Sequence, residues 1–323
     1  AWMHITFKNE FSNPLSQAKH LYLHNNLVTE ISIPDSVTEI SSYALYNAQD
    51  ILKISIPDSV TSIGKNAFYN CASLRAVTVP DSVTSIDDGA FKGCTALEEI
   101  TLPFVGKSAD TTVDYETPFG WIFGHSTSSS SGGIHQVDGY HYYSVPRSIK
   151  KVVITSDDSL PQHAFENCAS IEEIVLPDSL SVIGYRAFGL CDKLKKVTMP
   201  SSLTSIPASA FSYCTALTDI TIPQSVTVIG SDAFEGCTSL TSVQIENIDC
   251  NIYDSKTTIS TRTKICGHPG SPAELYAAKY NRTFVPLSNP LTPLGIYTNG
   301  SGTLRFVTKV TKAAESPDVE YFG

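Results

Sequence analysis

Eight cysteines are the residues of this 323-residue chain whose type and spacing first suggest chemistry. Thiols close disulfides, hold zinc or act as nucleophiles, and spacing distinguishes these roles. Cys71 and Cys94 lie 23 residues apart, and Cys168, Cys191, Cys214 and Cys237 follow one another at the same step. Stacked on rungs about 4.8 Å apart, such residues fall within Cα range of a disulfide, but their near-parallel side chains suit its ~90° torsion poorly. The expectation is a column of buried free thiols that pack as small hydrophobes. Cys250 and Cys266 fall outside the period, and either a disulfide or two free thiols fits them. No Cys-x-x-Cys or His-x-x-x-His spacing accompanies them to point to zinc.

A second group lies between Pro103 and Ile149. It holds Tyr115, Phe119, Trp121, Phe123, Tyr140, Tyr142 and Tyr143, with His125, His135 and His141. Trp121, Tyr140, Tyr142 and Tyr143 have the ring chemistry to stack on a sugar face or anchor a protein, and together with the three histidines they are candidate partner-binding residues. A locally packed hairpin is the competing reading. Phe119 and Phe123 are expected in the core, and the small polar run 126–133 is expected to be mobile. His125, His135, His141 and Asp138 match no metal-ligand spacing.

Carboxylates offer no catalytic arrangement. Glu98-Glu99 and Glu172-Glu173 are neighbours on predicted strands, so their side chains point to opposite faces and form no facing dyad. The chain contains no Gly-x-Ser-x-Gly, phosphate loop or His-Glu-x-x-His, so neither a cofactor nor an enzymatic activity is expected.

The cysteine step marks an internal repeat, and the repeat positions everything else. One unit reads Leu74-Arg-Ala-Val-Thr-Val79-Pro80-Asp-Ser-Val-Thr-Ser-Ile86, then Ala90-Phe91, then Cys94. Leu-x-x-Val-x-Val, rich in β-branched residues, predicts one short half-buried strand per unit. Pro80 cannot donate to a ladder and ends the strand, while Asp81 and Ser82 favour a turn. Val83, Ile86 and Phe91 carry the chain back. A single unit cannot bury its own apolar side, so copies must stack with their strands in parallel. Roughly ten rungs at about 4.8 Å give a solenoid about 50 Å long.

Two outward columns run along the predicted sheet. The first is Glu30, Lys53, Ala76, Glu99, Lys151, Glu173, Lys196, Asp219 and Ser242; the second is mostly Ser, Thr and Val. From Glu99 onward the sign alternates through Lys151, Glu173 and Lys196. Opposite charges on neighbouring rungs support each other by a few tenths of a kcal/mol. These four residues are read first as a self-neutralising ladder and second as candidate partner-binding residues. Neither column holds an aromatic anchor.

The motif Ile-Pro-Asp-Ser-Val-Thr-x-Ile-Gly-x-x-Ala-Phe-x-x-Cys, repeated from about Val28 to Leu287, resembles the bacterial leucine-rich repeats of the BspA type. The resemblance implies a β-rich α/β fold: a right-handed leucine-rich-repeat solenoid with helical caps. It also implies an exported or surface-attached bacterial protein with an adhesive or protein-binding role and no catalytic residues. A protein ligand is the expected partner and a monomer the expected state. A structural spacer presenting a downstream domain, or a glycan-binding module using the aromatic segment, are the alternatives.

The predicted organisation is an N-terminal cap over 1–27, the solenoid over 28–287, and a tail over 288–323. Within the solenoid, the irregular segment is 104–148. The step from Leu97 to Ile149 is 52 residues rather than 23, which leaves 29 extra, and such insertions often carry function. Asn13-Pro14 is expected to open a short helix, and Ser271-Pro-Ala-Glu274 reads as a capping box within a C-terminal cap over 266–287. Asn289 to Pro293 reads as a linker, followed by two strands of a second β module that continues beyond Gly323. The first residues lack a signal-peptide pattern, and no apolar run reaches the ~18 residues of a membrane span. A formal charge of −10, with no cluster of Lys and Arg, disfavours duplex nucleic acid and anionic membrane, so no nucleic-acid partner is expected.

Overall fold

A computed structural model describes residues 5–111, 117–126, 134–137, 142–287, 291–298, 304–310 and 319–322. Tyr140, His141 and Asp138 lie outside these residues, as does most of the small polar run.

The repeat folds into a parallel-strand solenoid. Its first seven principal strands are β1 (Glu30–Ser32), β2 (Lys53–Ser55), β3 (Ala76–Thr78), β4 (Glu99–Leu102), β5 (Lys151–Ile154), β6 (Glu173–Val175) and β7 (Lys196–Thr198). They form one sheet in chain order, with Glu30, Lys53, Ala76, Glu99, Lys151, Glu173 and Lys196 in register across it. A second sheet follows, made of β8 (Asp219–Ile222), β9 (Ser242–Ile245), β10 (Lys264–Gly267) and β11 (Phe284–Pro286). The period of two explains both faces: Ile54, Val77, Ile100, Val152 and Ile174 point inward and are buried, while their neighbours face out.

Each ordinary rung carries a second strand that the sequence reading lacked. Two-residue strands such as Glu39–Ile40, Ser62–Ile63 and Ser85–Ile86 pair in parallel and set the isoleucines into the core. The serines and threonines around them bind the rung before: Ser59 Oγ donates to the Val37 carbonyl at 2.8 Å, Ser82 Oγ to Val60 at 2.8 Å, and Thr61 Oγ1 to Thr38 at 3.0 Å. The hydroxyls of the turn therefore hold the stack together.

Behind these strands runs a column of buried phenylalanines. Phe165, Phe188, Phe211 and Phe234 stack at centroid separations of 5.8, 4.9 and 5.4 Å with ring planes within 9°. Beside it lies the cysteine column, buried and free. Four of these thiols donate to the phenylalanine carbonyl of the preceding rung, Cys94 to Phe68 (3.3 Å), Cys191 to Phe165 (3.1 Å), Cys214 to Phe188 (3.1 Å) and Cys237 to Phe211 (3.0 Å), and Cys71 donates to the equivalent Leu45 carbonyl (3.5 Å). Burial pushes the thiols of Cys94 and Cys237 up to about 12, so they stay protonated and unreactive. Cys250 and Cys266 are also free. The residue before each cysteine of this column takes a left-handed conformation, which suits Asn70, Gly93 and Asn167, as it does Asn47 before Ala48 in the first rung. At Gly236, with a φ of +69°, a Cβ would stand 2.5 Å from the Tyr213 ring of the neighbouring rung, so any larger residue there must displace that ring.

The principal sheet breaks at one junction. No ladder joins β7 to β8, and Val197 is only half-buried where its counterparts from Ile54 to Ile174 are buried. The turn side stays closed, with Phe211 N donating to the Ala233 carbonyl at 2.8 Å and Tyr213 N to Glu235 at 2.6 Å.

The ends show which local signals survive. α1 (Leu15–Ala18) is a single turn; Asn13 is fully buried, and its Oδ1 accepts from Leu15 N at 2.8 Å, as a capping side chain should. The expected capping box of α2 (Pro272–Lys279) forms differently. Ser271 N already donates to the His268 carbonyl, and Glu274 reaches back to Gly270 N at 2.7 Å instead. Leu291–Thr298, Leu304–Val310 and Val319–Phe322 form a three-stranded antiparallel sheet. Residues 291–293 are thus strand rather than linker, and three strands replace the expected two.

Candidate functional site

The outward columns become paired charges. Lys151 Nζ lies 2.9 Å from Glu99 and Lys196 Nζ 3.2 Å from Glu173, so the four candidate sheet residues are bonded in pairs. A parallel set sits one residue earlier: Arg75 to Glu98 (3.1 Å), and Lys150 and Lys195 to Glu172 (3.4 and 2.7 Å). These surface pairs keep register and neutralise the face more than they stabilise it.

Between Glu30 and Asp219 the charged column has one gap, at Ala76. Over it opens a hollow of about 720 Å³ on the outer face of β2 to β4, lined by Lys53, Arg75, Thr78, Asp81, Thr101 and Thr155 among others. Arg75 and Lys53 stand at one end, and Asp58 and Asp81 at the other, with Asp81 bonded to the Thr155 hydroxyl. Between them the outward hydroxyls of Ser55, Thr78 and Thr101 have no hydrogen-bond partner among the described residues, unlike the turn hydroxyls. The sequence held the signal, an uncharged residue in a charged column, but alanine reads as a neutral strand filler until the width of its neighbours is known.

The aromatic insertion packs largely inward. Phe119–Phe123 is a 3₁₀ helix buried at every position, and Phe91 N donates to the Ile122 carbonyl at 2.8 Å, so this helix takes the place of an ordinary turn. Phe119 and Phe123 are core as expected. Trp121 is 5% exposed, its indole N–H donates to the Ile86 carbonyl at 2.9 Å, and Tyr143 is fully buried. Neither ring is available as a surface anchor, which corrects their candidacy. His125 is brought against both, 5.7 Å from Trp121 and 5.0 Å from Tyr143 between ring centroids, with Nδ1 3.2 Å from Asp88. Tyr142 faces outward at 45% exposure. His135 lies opposite Ser144 in the antiparallel sheet formed by His125–Ser126, Ile134–Val137 and Tyr142–Val145.

A carboxyl the sequence reading passed over anchors the start of the insertion. Counted back from Leu160, Asp157 takes the place that Val83 holds before Ile86, and it is 3% exposed. Its Oδ2 accepts from Val105 N at 3.2 Å, while Oδ1 is buried without a partner among the described residues. Burial pushes this carboxyl up to about 6, the hydrogen bonds from Val105, Ser159 and Asp158 opposing it. The folded state then binds the proton more tightly than the unfolded chain, so this group's contribution falls as pH rises from about 4 to 6 and is unfavourable above. Asp157→Asn should gain about 1 kcal/mol at pH 8 and nothing at pH 4, measured by urea unfolding against the parent chain. Equal gains at both pH values would show that the charge is not the cause.

Among the described residues no group of three or more His, Cys, Asp or Glu is placed to hold a metal ion, and no helix is long and apolar enough to cross a membrane.

Parallel rungs of about 23 residues, with a cysteine and a phenylalanine column behind one sheet, define a leucine-rich-repeat solenoid. The chain belongs to the BspA-type leucine-rich repeat family, whose model matches residues 18–112 and 136–259 in six copies. No curated protein matches the chain. Among solved structures it is similar to a leucine-rich repeat protein from Bacteroides ovatus, at 21% identity and TM-score 0.42 over 74% of this chain and 66% of that one. It is also similar to a leucine-rich cell surface protein from Faecalibacterium prausnitzii, at 24% identity and TM-score 0.33 over 81% and 60%. A third is the pneumococcal vaccine antigen PcpA, at 19% identity and TM-score 0.37 over 81% and 68%. The chain thus spans less than two thirds of the length of the first two of these structures.

Proposed function

We propose that this chain is a non-enzymatic interaction module of an exported bacterial surface protein, and that it binds a protein partner through the outer face of β1 to β7. The observation that carries the reading is the division of labour among hydroxyls. Those in the turns are spent on the stack, whereas the outward hydroxyls of Ser55, Thr78 and Thr101 have no partner among the described residues and stand in a straight column beside ordered charges. Membership of a repeat family with surface proteins supports the location. Burial of Trp121 and Tyr143 weighs against the glycan-binding alternative and, among the described residues, leaves exposed Tyr142 and half-buried His125 as the insertion's accessible rings.

The test inverts the ladder without breaking it. In Glu99→Lys/Lys151→Glu/Glu173→Lys/Lys196→Glu every one of these neighbours still meets its opposite, so the circular dichroism spectrum should be unchanged. Affinity for a partner captured from extracellular-matrix extract should fall at least about 10-fold. Full affinity after inversion, with loss on Tyr142→Ala, moves the site to the insertion. Indifference to both leaves the spacer reading.

A further inference from the structure

We infer that the hollow over Ala76 receives a carboxylate side chain from an extended segment of the protein partner; this deepens the interaction-module reading and rests on it.

Three observations carry it. First, Ala76 is the one uncharged residue between Glu30 and Asp219 in the outward column, so a space of side-chain size stands open where its neighbours carry charge. Second, the end of that space next to Ala76 holds both of its cations, and one of them is not neutralised by the chain itself. Lys53 is exposed and has no ion-pair partner among the described residues; Arg75, one residue from Ala76, meets Glu98 through an exposed contact at 3.1 Å. A carboxylate seated over Ala76 lies one rung, about 4.8 Å, from Lys53 and adjacent to Arg75. Glu99, the acid on the next rung, is already bonded to Lys151. Third, Ser55, Thr78 and Thr101 stand two residues further along three successive strands, hence on the same face, and their hydroxyls have no partner among the described residues. A chain laid across the rungs meets a donor and acceptor at each step. Asp58 and Asp81 close the far end, which repels a second acid and gives the segment an orientation.

The hollow is a poor match for an acidic glycan. No aromatic residue lines it among the described residues, so it lacks the flat apolar surface on which sugar rings stack, whereas the exposed side chain of Leu52 offers a contact to a peptide side chain.

The experiment titrates a capped pentapeptide of alternating threonine and glutamate into the labelled chain and follows backbone amide resonances. The expected result is saturable shifts at Ala76 and Thr78, lost when glutamine replaces glutamate and weakened about 10-fold by Lys53→Gln. Ala76→Glu, which seats its own carboxylate beside Lys53, should abolish the shifts. Should that variant fail to fold, Lys53→Gln and Thr78→Val, both at exposed positions, carry the test. Equal binding of the glutamine peptide, or no shift at these amides, overturns the proposal. So does an oligogalacturonate that binds where the peptide does not. If a captured partner binds Ala76→Glu as tightly as the parent but is lost on inverting the ladder, the interaction-module reading stands and the carboxylate site falls.

Discussion

Phe211→Ala is expected to cost about 3–5 kcal/mol and to split unfolding into two transitions. The side chain is fully buried and stacks on Phe188 at 4.9 Å and on Phe234 at 5.4 Å. Truncation removes the transfer energy of the ring and leaves a cavity that neighbouring rungs cannot refill, because their backbones are fixed by ladder bonds. Position decides the second effect. Stability in a stacked array is a sum of rung terms and nearest-neighbour terms. Between β7 and β8 the principal sheet contributes no ladder, so the aromatic column, the turn bonds and the short parallel pair of Ser205–Ile206 with Val228–Ile229 carry that interface. Weakening it should uncouple the blocks on either side. Calorimetry of the parent and variant checks this, with Phe68→Ala, where the sheet is continuous, as comparison. One sharp transition in Phe211→Ala, lowered no more than in Phe68→Ala, would refute the uncoupling.

Trp121→Ala should be nearly as damaging, by about 4 kcal/mol, and its damage should be local to the insertion. It deletes a buried indole and leaves the Ile86 carbonyl without its 2.9 Å donor. It also removes the surface against which His125 packs edge-on. Limited proteolysis should then cut within 117–145 while the amides of β1 to β3 keep their protection. Trp121→Phe, which retains most of the bulk and loses the N–H, should cost about 1 kcal/mol. A melting temperature unmoved by Trp121→Ala would return the ring to the surface and revive its role as an anchor. If it is core, loss of any ligand in that variant reports unfolding rather than a missing contact.

The repeat was legible because it is written many times over: Ile54, Val77, Ile100 and Val152 occupy one inward column, and a period shared by distant segments outweighs local ambiguity. The charge pairs were legible for the same reason, since register at Glu99 and Lys151 follows from alignment alone. The second strands were not, because two residues such as Ser85 and Ile86 are too short to show alternation. Trp121 escaped because burial of a non-periodic residue depends on what folds over it. Asp157 was hidden by a one-residue deletion that shifts it into a core position. At Glu274 the motif was present, but the Ser271 amide had been taken by His268, a competition that sequence spacing does not record.

The missing ladder between β7 and β8 also bears on mechanics. The spine on the turn side is intact there, so the molecule is stiff against stretching along its axis yet compliant to bending that opens the sheet side. Bending that opens the sheet side is therefore easiest at this junction, where no ladder bond of the principal sheet has to break. A ligand resting wholly on β1 to β7 is indifferent to that angle. One that also grips β8 to β11 selects a bend, and its affinity then depends on the shape of the whole arc as well as on the side chains it touches.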